Sequence, residues 1–487
     1  MGKKSIRKNA VLNIIKQCCS VVFPLLTFPY VSQNLGVDTY GTFNFANSVV
    51  NYFVIFAALG VNAYAIREGS RLKNRKDDFS EFVNEVFTIN VFSALVSIIS
   101  MVLLLVLWKR LDKYVFLVLV LGISIILNTV GLDWINNIME DFEYITIRYI
   151  VFQLIALIMI LIFVRKPSDI LKYALIYVFA NAGPGLLNMF YIRRYVKPKL
   201  VITLNLKRHL KPMLLLLCNT LAVSIYVNSD LTLIGIIKSN YEVGLYSVAA
   251  KIYNIVKQLL NAFCVVVIPR ISYYLSCDCE QEYNKLLNKT FNVLIGLVMP
   301  SIVGLFFLSK DIITIISGNE YAGGAASLQI LCISLLFSVL GCFFTTVILI
   351  PNRYEKIVLI STLISAFSNL ILNFLFISRL GIEGAAITTV ISEFMVMVIA
   401  VYYSKKLWIM DKQIKNFISY VIASVGIGII LCVVSSVISN TLIKLFISIV
   451  LCIVFYIGVL IVFKNEYILE MIYKTIHKLK KREVKEQ

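Results

Sequence analysis

Histidine and charged residues are scarce in this sequence. Only two histidines, His209 and His477, occur among 487 residues, so we expect no histidine-based metal site. The ten cysteines follow no paired spacing, and we interpret them as free thiols. A Walker motif is absent, as are a Ser/His/Asp set and an acidic metal cluster. The sequence therefore predicts neither an ATPase nor a hydrolase.

Long apolar runs are what the sequence does contain. Hydrophobic residues make up 59% of the chain, a larger share than soluble domains use, and they are spread along its whole length. This composition predicts an all-α polytopic membrane protein, and a length of about 20 apolar residues per crossing gives about fourteen transmembrane helices. The predicted spans are 9–33, 42–66, 82–108, 114–134, 144–164, 170–192, 211–236, 242–268, 289–309, 325–350, 355–378, 383–404, 415–438 and 442–463.

Lysine and arginine concentrate on one side of this arrangement. The basic segments are 3–8, 67–76, 193–211, 405–415 and 464–485. The positive-inside rule then places these segments, and both termini, in the cytoplasm. The net charge of +19 is explained by basic residues that face anionic lipid head groups, so no nucleic-acid partner is expected.

Two stretches of the chain resemble each other. The sequence YGTFNFANSVV at 40–50 aligns with VGLYSVAAKIY at 243–253, which matches Gly41 with Gly244. Parallel repeats of this kind predict two six-span halves with a substrate site between them. We predict an N-lobe at 1–196, a basic linker at 197–210, a C-lobe at 211–404, two further spans within 405–463 and a basic tail at 464–487.

Polar residues lie on single faces of spans 1, 2, 7 and 8, which are equivalent helices of the two halves. A charge at the centre of an isolated membrane helix costs roughly 2.5–3.5 kcal/mol, so these residues are expected to line a shared aqueous cavity. The residues singled out are Lys16, Asn47, Asn51, Asp230, Lys251, Asn254, Lys257, Gln258 and, in span 12, Glu393. Breaks are predicted at Pro24 and Pro29 of span 1 and at 181–185 of span 6.

Structural explanations for the same residues stay open. Lys16 and Lys257 could extend along the helix to the membrane surface. Asp230 could pair with Lys251 as a structural bridge. The asparagine faces could serve only as contacts between helices.

Several stretches carry a family resemblance. They are LGVDTYGTFNFANSVVNYFVIFAALG at 35–60, EDFEYITIR at 140–148, NSDLTLIGIIKSNYEVGLYSVAAKI at 228–252, SGNEYAGGAASLQIL at 317–331 and GIEGAAITTVISE at 381–393. In this order and spacing they resemble the Wzx-type flippases of O-antigen and capsular polysaccharide repeat units. Those proteins form the polysaccharide transporter family of the multidrug/oligosaccharidyl-lipid/polysaccharide exporter superfamily.

The resemblance implies a MATE-like two-lobed helical bundle in a bacterial plasma (inner) membrane. Its implied substrate is an undecaprenyl-diphosphate-linked oligosaccharide, moved from the cytoplasmic to the outer leaflet by alternating access. It implies no cofactor beyond a coupling H⁺ or Na⁺. The implied partners, besides the lipid bilayer, are the polysaccharide polymerase and the chain-length regulator.

The resemblance also suggests roles for the polar residues. Lys251, with Lys16 and Lys257, would hold the diphosphate, because lysine binds phosphate as a point charge. The Asn and Gln side chains would contact sugar hydroxyls. Asp230 and Glu393 would bind the coupling ion.

Other functions remain possible from the sequence alone. A multidrug exporter of the same fold would favour an acidic cavity, and a membrane glycan polymerase would need a larger outer loop. A flippase of a lipid-linked peptidoglycan precursor, or a teichoic-type exporter, is not excluded.

Overall fold

A computed structural model of the chain describes residues 6–201, 207–409 and 414–465. Every regular element in these ranges is helical, as the apolar runs predict. The sixteen α-helices are α1 (Ile6–Leu35), α2 (Val37–Ala58), α3 (Val61–Leu72), α4 (Lys76–Leu107), α5 (Val115–Gly131), α6 (Asp133–Ile138), α7 (Phe142–Phe163), α8 (Ile170–Asn181), α9 (Pro184–Tyr191), α10 (Lys207–Ile237), α11 (Asn240–Ser276), α12 (Glu280–Ser317), α13 (Ala325–Cys342), α14 (Glu355–Ser404), α15 (Ile414–Val437) and α16 (Thr441–Val462). Most of the predicted basic tail, from residue 466, and residues 202–206 of the predicted linker lie outside these ranges.

The helices confirm a multi-pass membrane protein. Within the described ranges, eleven segments are long and apolar enough to cross a membrane. A twelfth is added if Lys207–Ile225 and Val227–Ile237, which meet at a bend of 57°, form one span. The count of fourteen and the cytoplasmic position of the termini stay predictions. The helix α14, with 50 residues, covers two of the predicted spans.

Two glycines with positive φ interrupt the helical backbone at points that bear on the predicted spans. Gly36 lies between α1 and α2 with a φ of 73°, and Gly381 interrupts α14 with a φ of 62° and a ψ of −136°. Both conformations are accessible to glycine at little cost because it has no Cβ. The break at Gly381 falls between the predicted spans 355–378 and 383–404. The helix α1, by contrast, continues through Pro24 and Pro29 without an interruption, so a kink at these prolines stays a prediction.

The chain folds into two compact units, Met1–Gly244 and Leu245–Gln487. In unit 1, α2 packs against α4, α5 and α10, while α1 packs against α7. A buried cluster that includes Phe82, Trp134 and Ile138 joins α4 to α6. The hydroxyl group of Thr232 donates a hydrogen bond to Ser48 Oγ over 2.9 Å, which ties α10 to α2. The lobes assigned around the 197–210 linker stay a prediction.

The glycines aligned by the sequence repeat lie against each other in unit 1. A Cβ atom built on Gly41 would lie 1.8 Å from the carbonyl oxygen of Asn240 and 2.6 Å from the amide nitrogen of Gly244. The amide of Asn240 also donates to Thr42 Oγ1 over 2.8 Å. The start of α2 and the start of α11 therefore approach as closely as two backbones can.

Unit 2 is built around α12 and α13. The helix α13 packs against α12 and α14, and α15 packs against both α12 and α16. Ile295, Tyr420 and Leu460 form a buried cluster between α12, α15 and α16. A π-helix, Phe343–Leu349, continues α13 and packs against α14.

Candidate functional site

Unit 1 contains a cavity of about 320 Å³ with a polar lining. It lies where the C-terminal ends of α2, α5 and α8 meet the N-terminal halves of α1, α4 and α9. The polar and charged lining residues are Lys16, Asn62, Asn90, Asn128, Thr129, Asp133, Trp134, Asn137 and Asn181. Five of the first six predicted spans, all except 144–164, thus contribute to the cavity.

Two helix breaks shape the wall of this cavity. Leu132, in the left-handed region with a φ of 47°, separates α5 from α6. The predicted break at 181–185 is present, because α8 ends at Asn181 and α9 begins at Pro184. The two breaks touch: a Cβ atom on Gly131 would lie 2.9 Å from the Cα atom of Gly185. Ending the helices here turns Asn181 and the start of α6 toward the cavity.

Lys16 is the cation that lines this cavity, and no described carboxylate lies within ion-pair distance of it. Its side chain is half-buried, and its Nζ lies 5.9 Å from the ring centroid of Tyr149. It forms no ion pair with any carboxylate of the described residues of unit 1. Its charge is therefore available to an anionic ligand.

Asp133 is neutralised by an arginine that the sequence analysis missed. Arg148 Nη2 donates to Asp133 Oδ1 over 2.7 Å, and the Arg148 side chain is almost fully buried. Asn188 also donates to Asp133 Oδ1, over 3.1 Å. The pair of Arg148 and Asp133 carries no net charge, so Lys16 gives the cavity a net positive charge. Arg148 lies inside the predicted span 144–164, so its charge there was the signal that could have revealed it.

Of the five asparagines that line the cavity, two donate hydrogen bonds to described residues and three do not. Asn90 Nδ2 donates to the Ala57 carbonyl over 2.8 Å, and Asn181 Nδ2 donates to that of Tyr177 over 2.9 Å. The carboxamides with no hydrogen bond to any described residue are those of Asn62, Asn128 and Asn137.

Asn47 and Asn51 of α2 lie outside the cavity lining but follow the same helix face. They precede the lining residue Val54 by seven and three residues, which corresponds to about two turns and one turn. Both side chains are half-buried. They extend the polar face of α2 away from the cavity.

Unit 2 brings two of the predicted site residues together. Lys257 Nζ lies 2.6 Å from Glu393 Oε1, and it also lies 5.5 Å from the ring centroid of Tyr253. Lys257 is thus held inside the unit and does not extend to the membrane surface.

The remaining predicted residues of α11 share this helix face. Lys251 and Asn254 are half-buried and Gln258 is exposed. No carboxylate among the described residues of unit 2 forms an ion pair with Lys251. Asp230 is buried on α10 and belongs to unit 1, so its pairing with Lys251 stays a prediction.

A second cavity, of about 600 Å³, lies in unit 2 between α12, α15 and α16. Its lining is mostly aliphatic, with the hydroxyl-bearing residues Ser301, Tyr420, Ser448 and Tyr456. It offers no charged side chain. Of these two cavities, only the one in unit 1 offers a phosphate group a counter-charge.

Comparisons with known proteins identify similar chains. Residues 6–275 match the family model described as "Polysaccharide biosynthesis protein". The chain is 25% identical over 414 residues to a putative O-antigen transporter of Escherichia coli K12, covering 81% of this chain and 95% of that protein.

Two solved structures establish the fold. The lipid II flippase MurJ, in an inward closed conformation, aligns with a TM-score of 0.73 at 18% identity, over 95% of this chain and 100% of that one. An inward-facing multidrug resistance MATE family transporter aligns with a TM-score of 0.59 at 12% identity, over 81% and 97%. These alignments confirm the predicted MATE-like fold.

Proposed function

The chain belongs to the polysaccharide biosynthesis protein family, and we propose that it is a flippase for undecaprenyl-diphosphate-linked oligosaccharide repeat units. The observation that carries the proposal is the amide-lined cavity of unit 1, where Lys16 forms no ion pair with a described carboxylate. The proposed membrane is the bacterial inner membrane, and the glycan is an O-antigen or a capsular polysaccharide. The protein acts as a transporter and not as an enzyme.

The chemistry of the cavity fits the head group of such a lipid. A lysine ammonium group binds diphosphate oxygens through charge-assisted hydrogen bonds. Asparagine carboxamides offer both donors and acceptors, which suits sugar hydroxyl groups. A volume of about 320 Å³ is at the lower end of ligand pockets, so the cavity holds only the part of the head group nearest the lipid.

The position of the cavity supports loading from the cytoplasmic leaflet. Most of its lining residues lie in the helix halves that the Lys/Arg distribution predicts to face the cytoplasm. Alternating access between the units then moves the head group outward. Lys251, which forms no ion pair with a described carboxylate of unit 2, is proposed as a second phosphate contact during this movement.

The proposed coupling ion is H⁺ or Na⁺, with Asp230 as its binding carboxylate. Glu393 is already neutralised by Lys257 at 2.6 Å, so it can take up an ion only after that pair separates. The polysaccharide polymerase and the chain-length regulator are proposed to act next to the flippase, on the lipid-linked units that it delivers.

A multidrug exporter is the main competing function on this fold. In the described part of unit 1, Lys16 is the one charged residue of the cavity lining that forms no ion pair, and its positive charge would repel cationic drugs. The electrostatics of the cavity therefore favour an anionic substrate.

Complementation of a strain that lacks the chromosomal copy tests the proposal. We expect Lys16→Ala, at wild-type membrane levels, to lower surface glycan about tenfold or more, because one charge-assisted hydrogen bond contributes about 1.5–3 kcal/mol. Lipid-linked repeat units should then accumulate on the cytoplasmic side. Lys109→Ala is the matched control, since Lys109 is exposed and distant from the cavity lining. Wild-type export by Lys16→Ala would overturn the proposal.

A further inference from the structure

The aliphatic cavity of unit 2 is a groove that opens beside α16. It encloses about 600 Å³ between α12, α15 and α16. Three of its lining residues, Ile449, Ile453 and Ile457, lie on successive turns of α16 and are 45%, 54% and 41% exposed. In a membrane, the surroundings of such residues are lipid chains, so the groove is accessible to lipid from the side.

The helix α16 is the least buried of the candidate membrane spans in the described residues. It packs against α15 and α12, yet only 11% of its apolar stretch is buried. The pair α15 and α16 corresponds to the two spans predicted beyond the sequence repeat. The groove therefore lies where this additional helical hairpin meets α12, and an apolar molecule in the groove would complete the packing of α16.

The interior of the groove suits an apolar occupant and not water. A Cβ atom built on Gly304, which lines the groove, meets no described atom within 4 Å. The hydroxyl groups of Ser301 and Tyr456 already donate to the backbone carbonyls of Leu297 and Gly296. A buried water molecule needs about two to four polar partners, which this lining does not supply.

An ion pair lies directly beyond one end of the groove. Lys444 Nζ is 2.6 Å from Asp311 Oδ2, and the two side chains are 14% and 16% exposed. Asp311 follows the lining residue Leu308 by three residues on α12. Lys444 precedes the lining residue Ser448 by four residues on α16, so the pair lies about one helical turn past the lining. Since α16 begins at Thr441, Lys444 is in its first turn, at the end of a membrane helix.

An aliphatic body with a charged but neutral end matches a zwitterionic phospholipid. A lysine ammonium group has three N–H donors, so Lys444 can hold a phosphate oxygen while it keeps its contact with Asp311. The Asp311 carboxylate can accept a charge-assisted hydrogen bond from an ethanolamine ammonium group. An anionic head group would add a charge that the neutral pair does not balance.

The volume of the groove limits the hydrocarbon that it holds. About 600 Å³ equals the volume of about 20 water-sized groups at about 30 Å³ each, and a methylene group is of similar size. One acyl chain of about 16–18 carbons fills most of this space, whereas an undecaprenyl chain of roughly 55 carbons is too large for it. The groove is therefore matched to a single acyl chain.

We propose that the groove between α12, α15 and α16 binds one acyl chain of a zwitterionic phospholipid such as phosphatidylethanolamine, with its head group at Asp311 and Lys444. The bound chain packs α16 onto unit 2. This lipid is a structural component and not the transported molecule, so the inference does not depend on the proposed flippase function.

Lipid binding to the purified full-length protein tests the inference. Delipidated protein in detergent is heated with added phosphatidylethanolamine, phosphatidylglycerol or undecaprenyl phosphate. We expect phosphatidylethanolamine to raise the melting temperature by about 2–4 °C, because a ligand that binds only the folded protein stabilises it. Native mass spectrometry should show one retained phosphatidylethanolamine molecule.

Two glycine variants locate the bound lipid. Gly304→Phe, which fills the groove, should abolish both the rise in melting temperature and the retained lipid. Gly458→Phe is the matched control, because a Cβ on Gly458 also meets no described atom within 4 Å but lies outside the lining. It should respond to phosphatidylethanolamine as the wild type does. An equal rise in Gly304→Phe and wild type would overturn the inference.

A charge-pair variant tests the head-group end without filling the groove. Asp311→Asn combined with Lys444→Gln removes both charges and leaves neither without a partner. We expect it to reduce the preference for phosphatidylethanolamine over phosphatidylglycerol, measured as retained lipid from an equal mixture, about three- to tenfold. An unchanged preference contradicts the inference. So does a rise in melting temperature with undecaprenyl phosphate that exceeds the rise with phosphatidylethanolamine and disappears in Gly304→Phe.

Discussion

Lys257 Nζ lies 2.6 Å from Glu393 Oε1, which joins α11 to α14 inside unit 2. Only 22% of the Lys257 side chain and 8% of the Glu393 side chain are exposed, so both charges have been removed from solvent. The sequence suggested separate tasks for them, phosphate binding and ion coupling. Their contact makes each residue the counter-charge of the other. Lys251, on the same face of α11, forms no ion pair with a carboxylate in the described part of unit 2.

Breaking this pair should destabilise the protein, whereas removing both partners should not. Lys257→Met and Glu393→Gln are each expected to lower the free energy of unfolding by about 3–5 kcal/mol, because each leaves an uncompensated buried charge. The double variant should recover most of that loss. Thermal unfolding of the purified protein in detergent measures all three. Arg71 and Glu68 form an exposed control pair, for which the changes should stay below about 1 kcal/mol. A double variant whose loss of unfolding free energy equals the sum of the two single losses would contradict the prediction.

Lys251→Met should separate stability from transport. Because Lys251 is half-buried and pairs with no carboxylate in the described part of unit 2, replacing its charge with an apolar side chain is expected to stabilise the protein by up to about 3 kcal/mol. Glycan export should fall nevertheless, since the proposed phosphate contact is lost. Melting temperature and surface glycan are measured on the same variant, with Lys251→Arg retaining part of the activity. A stabilised variant with normal export would show that Lys251 does not contact the substrate.

Gly41 should tolerate no side chain. Its Cβ would lie 1.8 Å from a backbone oxygen of Asn240, which cannot move aside as a side chain could. We expect Gly41→Ala to cost more than about 2 kcal/mol of stability through this overpacking. Gly458→Ala is the matched control, because a Cβ there meets nothing within 4 Å and should stabilise its helix by about 0.5–1 kcal/mol. Equal melting temperatures for the two variants would argue against the close helix approach.

His209 should act as a structural connection between three helices. Its Nε2 lies 2.8 Å from Glu85 Oε2 and its Nδ1 lies 2.6 Å from the Tyr64 hydroxyl, and all three side chains are buried. We expect His209→Phe to cost about 2–3 kcal/mol, because Glu85 and Tyr64 both lose a buried partner. Tyr64→Phe removes only one hydroxyl and should cost about 1 kcal/mol. Thermal unfolding compares the stability losses of the two variants. Equal losses would mean that the hydrogen bond between His209 and Glu85 contributes nothing to stability.

Local sequence pattern located several helix boundaries but did not locate the cavity. The breaks at 181–185 and near Gly381 follow from glycine and proline, whose backbone preferences act within a few residues. Lys16 was found because a charge in an apolar run is visible in the sequence. Asn62, Asn128 and Asn137 were missed, because asparagine is common at helix ends and only the folded unit shows which carboxamides lack partners.

The sequence by itself determined that this chain is a helical membrane protein with few internal charges, since hydrophobicity and helix length are properties of consecutive residues. It also indicated the family, through motifs that keep their order along the chain. Only the tertiary structure decided which charges cancel: Arg148 with Asp133, and Lys257 with Glu393. Pairing depends on distances between helices that are far apart in the chain, and no periodicity within one helix records those distances.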